Sequence, residues 1–201
     1  GIQYGTLMHR RGYGAVVAGM VGSAAAAGVG PTSPMGAYIL GFAGHAILDR
    51  ALHPYINYRS GWVVSGRPET DRYRSMHPFL ERLIDTALLR RIRGITPNTL
   101  DFYKIVRGYG DEEHPPRFWT DALAAGLTFA YDRAAGDDRL DERLANTWHD
   151  ALGYYAYTRR VDRSYLERAL EEEERGRIKS SWISIVHPPE VPEELDVLNE
   201  E

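Results

Sequence analysis

The sequence predicts an all-α fold, and three observations point there. Turn-forming residues cut the chain into blocks of helical length: Gly30-Pro31-Thr32-Ser33-Pro34, Pro54 to Pro68, Gly94 to Pro97, Gly108 to Pro116, Gly136-Asp137-Asp138, and Pro188 onward. Within several blocks apolar residues step by three and four, the period of one helix face. Strand candidates are few, since only Ser181 to Val186 alternates and Trp62 to Gly66 is brief. Six or seven helices around one core is the economical arrangement, read as a single domain over 1–201 with 187–201 a peripheral, extended tail.

Taken in order, Met8 to Gly28 comes first. Basic residues, an apolar run and Ala24 to Ala26 give it the look of a secretory leader. Its Gly/Ala content is too weakly apolar for a membrane span of about 20 residues, so it is read as a closely packed helix of small residues, and a cytoplasmic location is expected. No other block approaches a membrane span. The next helix runs toward His53, where Pro54 disfavours helical geometry in the residue before it and so predicts a helix end. Leu80, Leu83, Ile84, Ala87 and Leu88 mark one buried face of the following helix. Pro78 fits if it lies in that helix's first turn, where backbone N–H groups lack partners anyway, with Ser75 as cap. Ala122, Ala125, Leu127 and Phe129 give a weaker signal, whereas Leu140, Leu144, Trp148, Leu152 and Tyr155 step by four, four, four and three. A last helix begins at Tyr165 and runs into Glu171 to Glu174, a solvated end.

Composition narrows the function. A chain of 201 residues that is 43% hydrophobic can bury one sizeable core. A net charge of −4 offers no basic surplus, so nucleic acid is not expected as an obligatory partner. There is no cysteine, so any metal must be held by His and carboxylate.

Such residues cluster. In "HAILDRALHP" His45, Asp49 and His53 recur every fourth position in an apolar run. Four residues advance a helix by about 40° net, so the three share one face. Tyr38 and Phe42 continue that stripe toward the N-terminus. In "SMHPFLERLID" His77, Glu81 and Asp85 repeat the spacing beside the buried face. Carboxylates and imidazoles in such places must be exposed, hydrogen-bonded to one another or metal-bound, because burying them alone costs several kcal/mol. Two helices that each carry His and carboxylate one turn apart are what an N/O-ligated zinc or iron centre needs.

"AYILGFAGHAILDRALHPYINY" followed by "HPFLERLID" resembles the zinc-dependent phospholipase C family, in particular its bacterial branch, with the match specific from Ala37 to Asp85 and looser at "GTLMHRR". The resemblance implies a multi-helix bundle of the phospholipase C and zinc nuclease type. It implies zinc ions that activate water and clamp a phosphoester: a phosphodiester or phosphomonoester hydrolase for a small-molecule or lipid substrate. Position by position, His45 and Asp49 match a zinc pair whose aspartate bridges metals and is the catalytic carboxylate; His9 joins the first zinc; His53, His77 and Glu81 match the second; and Asp85 stands behind a ligand to orient it. The family pattern also has an acid upstream of the His9 equivalent, whereas the first acidic residue here is Asp49, so two zinc ions are expected and a third is not matched. Tyr55, Tyr58 and Trp62 follow the ligand helix and are candidates to wall a substrate cleft.

The rival from another class is a non-catalytic helical protein with a structural or degenerate metal site. Other residues read blandly. His114 lies in a loop and His187 reads as structural; His149-Asp150 resembles the paired ligands of HD-domain phosphohydrolases without that site's other residues in register. Arg90, Arg91 and Arg93 complement a helix dipole.

Overall fold

The computed structural model describes residues 4–61, 64, 66–74, 76–111, 113–160 and 187. Among them the fold is all-α, as the sequence predicts, with eight α-helices rather than six or seven: α1 (Tyr4–Arg10), α2 (Tyr13–Ala26), α3 (Pro34–Ser60), α4 (Met76–Arg93), α5 (Phe102–Arg107), α6 (Arg117–Ala130), α7 (Asp132–Ala135) and α8 (Leu140–Arg160). Two 3₁₀ segments, Pro68–Arg74 and Pro97–Thr99, complete the described elements. None of these helices is long and apolar enough to cross a membrane. The strand candidate at Ser181 to Val186, the helix from Tyr165, the Ser75 cap and most of the 187–201 tail lie outside the described residues.

The residues group into two compact units, Gly1–Ala51 with Val106–Gly153, and Leu52–Ile105 with Tyr154–Glu201. In the first, Val16, Met20 and Ala24 of α2 pack with Ala122, Leu123 and Leu127 of α6, joined by Met35 and Ile39 of α3 and by Leu140 and Leu144 of α8. Glycines on both helices make this approach close: a Cβ added at Gly19 of α2 would stand 2.9 Å from the Ala125 carbonyl oxygen of α6. A Cβ added at Gly126 would stand 2.7 Å from the Val16 carbonyl oxygen and 2.9 Å from Met20 Cγ. The buried face of α6 accordingly runs through Ala122, Leu123, Gly126 and Leu127, and Phe129, expected inside, is 68% exposed. On α8 the predicted stripe holds: Leu140, Leu144, Trp148 and Leu152 are all buried.

The segment expected as one helix from Met8 to Gly28 is two. Gly12 has φ +84°, and its Cβ position is taken by the Tyr131 ring, whose hydroxyl donates to the Arg11 carbonyl at 2.6 Å. Only glycine adopts that conformation cheaply and leaves that space, so α1 ends before Gly12 and α2 begins after it. α3 opens with a formed cap: the Ser33 hydroxyl accepts from the Gly36 N–H at 3.0 Å, and Pro34 occupies the first helical position.

α3 also corrects an expectation. It does not end at His53 but continues through Pro54 to Ser60. A proline inside a helix removes one backbone hydrogen bond and crowds the carbonyl four residues back, at about 3 kcal/mol. Packing offsets this in the second unit, where Ile56 is buried with Leu80 and Ile84 of α4, and Leu52, Tyr55 and Leu88 close around them. Pro78 sits in the first turn of α4, as its missing N–H allows. Leu80, Leu83 and Ile84 form the predicted inner face, and Thr86, also buried, returns its hydroxyl to the Arg82 carbonyl at 2.9 Å.

Candidate metal centres

The six residues expected to hold metal fall into two sets of three, His9 with His45 and Asp49, and His53 with His77 and Glu81. In each, one ligand atom per residue lies within 4.8 Å of the others. The two sets belong to different units.

In the first set, His9 is offered by the last turn of α1, and His45 and Asp49 by successive turns of α3. The His9 and His45 rings meet edge-on, with centroids 5.8 Å apart. The Nδ1 of His9 is 2.8 Å from the Gly5 carbonyl oxygen, an atom that can only accept. Nδ1 therefore carries the hydrogen, and Nε2 is the nitrogen left to bind a cation. Tyr13 stands against both rings, 6.2 Å from His9 and 6.3 Å from His45, and donates its hydroxyl to the Phe42 carbonyl at 3.1 Å. Burial, reinforced by the negative charge of Asp49, pushes that hydroxyl up to about 12, so it stays a neutral donor and does not compete as a phenolate ligand.

In the second set, one carboxylate faces two imidazoles. Glu81 Oε1 is 3.1 Å from His77 Nε2 and 3.6 Å from His53 Nε2, and the two rings meet at 83° with centroids 5.0 Å apart. All three side chains are partly exposed, at 34% for His53, 29% for His77 and 39% for Glu81. His77 Nδ1 is 3.2 Å from the side-chain oxygen of Asn57.

The donor atoms of each set are close enough to share a cation. Zinc bonds of about 2.0–2.2 Å in tetrahedral array put neighbouring donors about 3.3–3.6 Å apart; the 3.6 Å edge of the second set meets that spacing, and the 3.1 Å edge, the length of a hydrogen bond, would open slightly around an ion. Imidazole and carboxylate without thiolate suit zinc and other divalent first-row metals alike. Each set supplies three protein donors, and in the first His9 and His45 are exposed.

The remaining candidates are placed as follows. Asp85 is exposed on α4, its Oδ2 3.2 Å from His187 Nε2. Tyr55 packs against the Ile56, Leu80 and Ile84 cluster; Tyr58 is 82% exposed; Trp62 lies outside the described residues. His114 is a loop residue, its Nδ1 3.0 Å from Asp111 Oδ1, and His149 is exposed on α8.

The sequence reading missed two side chains at these sites, Asn57 and Tyr13, and the pairing of His187 with Asp85. Asn57 had a usable signal, since it extends the register of 45, 49 and 53 by one more turn. Tyr13 stands four residues after His9, but the chain turns between them at Gly12. His187 is 102 positions from Asp85, and no local spacing could have joined them. Against known proteins, no family model, no curated protein and no solved structure matches the chain.

Proposed function

We propose that the protein is a metal-dependent phosphoesterase, using zinc to hydrolyse a phosphodiester or phosphomonoester of a small molecule or lipid. The observation that carries the reading is the number of donors: among the described residues, three in each set, with solvent access. Structural zinc is closed by four protein ligands, whereas catalytic zinc keeps a position for water or substrate. The resemblance of Ala37 to Asp85 to zinc-dependent phospholipases supports the same chemistry. Bound there, the metal would supply a water acidic enough to ionise near neutral pH and a Lewis acid for a phosphoryl oxygen.

The chain's own part is to hold and orient. Asp49 and Glu81 each bring one negative charge to offset a divalent cation, and the imidazoles bind in their neutral form. We assign Asp49 as the catalytic carboxylate of the set it shares with His9 and His45, since two oxygens allow it to bind metal with one and hold a water proton with the other. Tyr13 closes one side of that set with a neutral ring.

A second reading has one observation in its favour. The His53, His77 and Glu81 set joins α3 to α4 beside the small core of Ile56, Leu80 and Ile84, where a metal could serve as a tie. Elemental analysis of reconstituted protein separates the two readings. Two zinc equivalents, with turnover of bis-(p-nitrophenyl) phosphate that falls at least about 100-fold in His45→Ala and Asp49→Asn at unchanged circular dichroism, are expected; groups merely behind a ligand already contribute about 10- to 100-fold. A single tightly held equivalent without turnover would leave the structural tie. Unchanged turnover in both variants overturns the catalytic assignment.

A further inference from the structure

A neutral imidazole has one N–H and one lone pair, so whatever holds Nδ1 decides what Nε2 can offer. At His77 the group at Nδ1 is the Asn57 side-chain oxygen, 3.2 Å away and able only to accept. A neutral ring held this way carries its hydrogen on Nδ1 and turns the Nε2 lone pair toward Glu81 Oε1 at 3.1 Å, while His53 Nε2 approaches the same oxygen at 3.6 Å. Positive charge then holds the three atoms together, either as a second proton on the His77 ring, which pairs with Glu81, or as a metal cation.

We propose that Asn57 is a positioning residue for the metal at His53, His77 and Glu81: by accepting the Nδ1 hydrogen of His77 it commits Nε2 to the cation. The inference rests on the metal reading above and extends it to a residue that does not touch the metal. Its geometry is a pair of one-turn steps on facing helices. His53 and Asn57 are four residues apart on α3, His77 and Glu81 four apart on α4, so α4 brings two direct ligands and α3 brings the third together with the partner of the α4 histidine. The same device occurs independently at His9, where the Gly5 carbonyl holds Nδ1. There the main chain does what Asn57 does with a side chain.

The test compares Asn57→Asp, which keeps an acceptor oxygen, with Asn57→Leu, of similar size and without one. Zinc is titrated into full-length protein against a competing chelator, and the His77 ring is followed by long-range proton–nitrogen NMR. Asn57→Leu should weaken one zinc by about 10- to 100-fold, leave the other unchanged and abolish the single Nδ1–H pattern of His77. Asn57→Asp should restore both affinity and pattern. Wild-type zinc affinity in Asn57→Leu, or a His77 hydrogen residing on Nε2 in wild-type protein, overturns the inference. Equal weakening in both variants overturns it too, since that marks Asn57 as a packing residue. His53→Ala and Glu81→Gln are the controls: if each loses a zinc while Asn57→Leu does not, only the role of Asn57 falls, and if neither loses one, the metal reading falls and takes this inference with it.

Discussion

The His9 set and the His53 set use the same residue types and rest on different supports. His45 and Asp49 extend from a helix whose earlier turn, through Met35 and Ile39, lies in the larger core, the one made close by Gly126; His9 comes from a seven-residue helix anchored by the buried Tyr4. His53, His77 and Glu81 are held by a core of three buried residues and a few partly buried neighbours. The first set orients its histidine with main chain and the second with a side chain. Strength of support and ease of disruption are thus separate properties, and mutations can address them one at a time.

The largest effect should come from Gly126→Val. The new side chain would meet the Val16 carbonyl, which belongs to backbone and cannot swing aside, so a loss of about 3 kcal/mol is expected on denaturant unfolding. Zinc at the His9 set should weaken with it. A loss under about 1 kcal/mol would mean that α2 and α6 separate without penalty and would break the contrast between the two supports.

Ile84→Ala probes the smaller core. About 2 kcal/mol is expected, at the low end for such a truncation because Leu52, Tyr55 and Leu88 are only partly buried and can relax into the gap. A chelator titration of this variant should show a weaker zinc at His53, His77 and Glu81 and an unaltered one at His9, His45 and Asp49. Equal weakening at both would show that the supports are not separate.

The smallest effect is at the anchor of α1. The Tyr4 hydroxyl donates to Asp137 Oδ2 at 2.8 Å, and the same oxygen accepts from Arg143 Nε at 2.8 Å. The Tyr4 hydrogen bond, then the Arg139 N–H and Arg143, hold the Asp137 carboxyl below the usual carboxylate range. A carboxylate depressed in the folded state adds stability above the unfolded value of about 3.9, and that contribution disappears as pH falls through the lower folded value. Tyr4→Phe should therefore lose a few tenths to about 1 kcal/mol at neutral pH, and the gap to wild type should narrow below about pH 4. A gap that stays constant from pH 7 to 3 would assign the loss to packing alone.

Much of this was legible in the order of residues, and the rest was not for identifiable reasons. The α8 stripe and the inner face of α4 are periodic over several turns, so one face could be read directly from Leu140 to Leu152 and from Leu80 to Ile84. One-turn spacing marked five of the six metal-binding candidates on two helices, but by itself it put His53 with His45 and Asp49; the division that sets His53 with His77 and Glu81 came with the family resemblance, because spacing along one helix does not show which neighbour each turn faces. Pro54 misled, since local preference argued for a helix end while Ile56 and its partners, supplied by α4, carried the helix past it. Gly126 went unremarked because a missing side chain leaves no apolar mark, although the contact depends on it. The division into two units was invisible as well, since it follows from which distant blocks meet and not from any composition change.

The main-chain hold on His9 bears on how this protein can vary over generations. At Gly5 an added Cβ would meet nothing within 4 Å, so that position can drift to other amino acids while its carbonyl goes on serving the histidine. Position 57 has no such latitude, because its oxygen belongs to the residue itself. Among descendants of this chain that keep both histidines, position 5 should diversify freely while position 57 stays confined to the few side chains that present an oxygen at that reach.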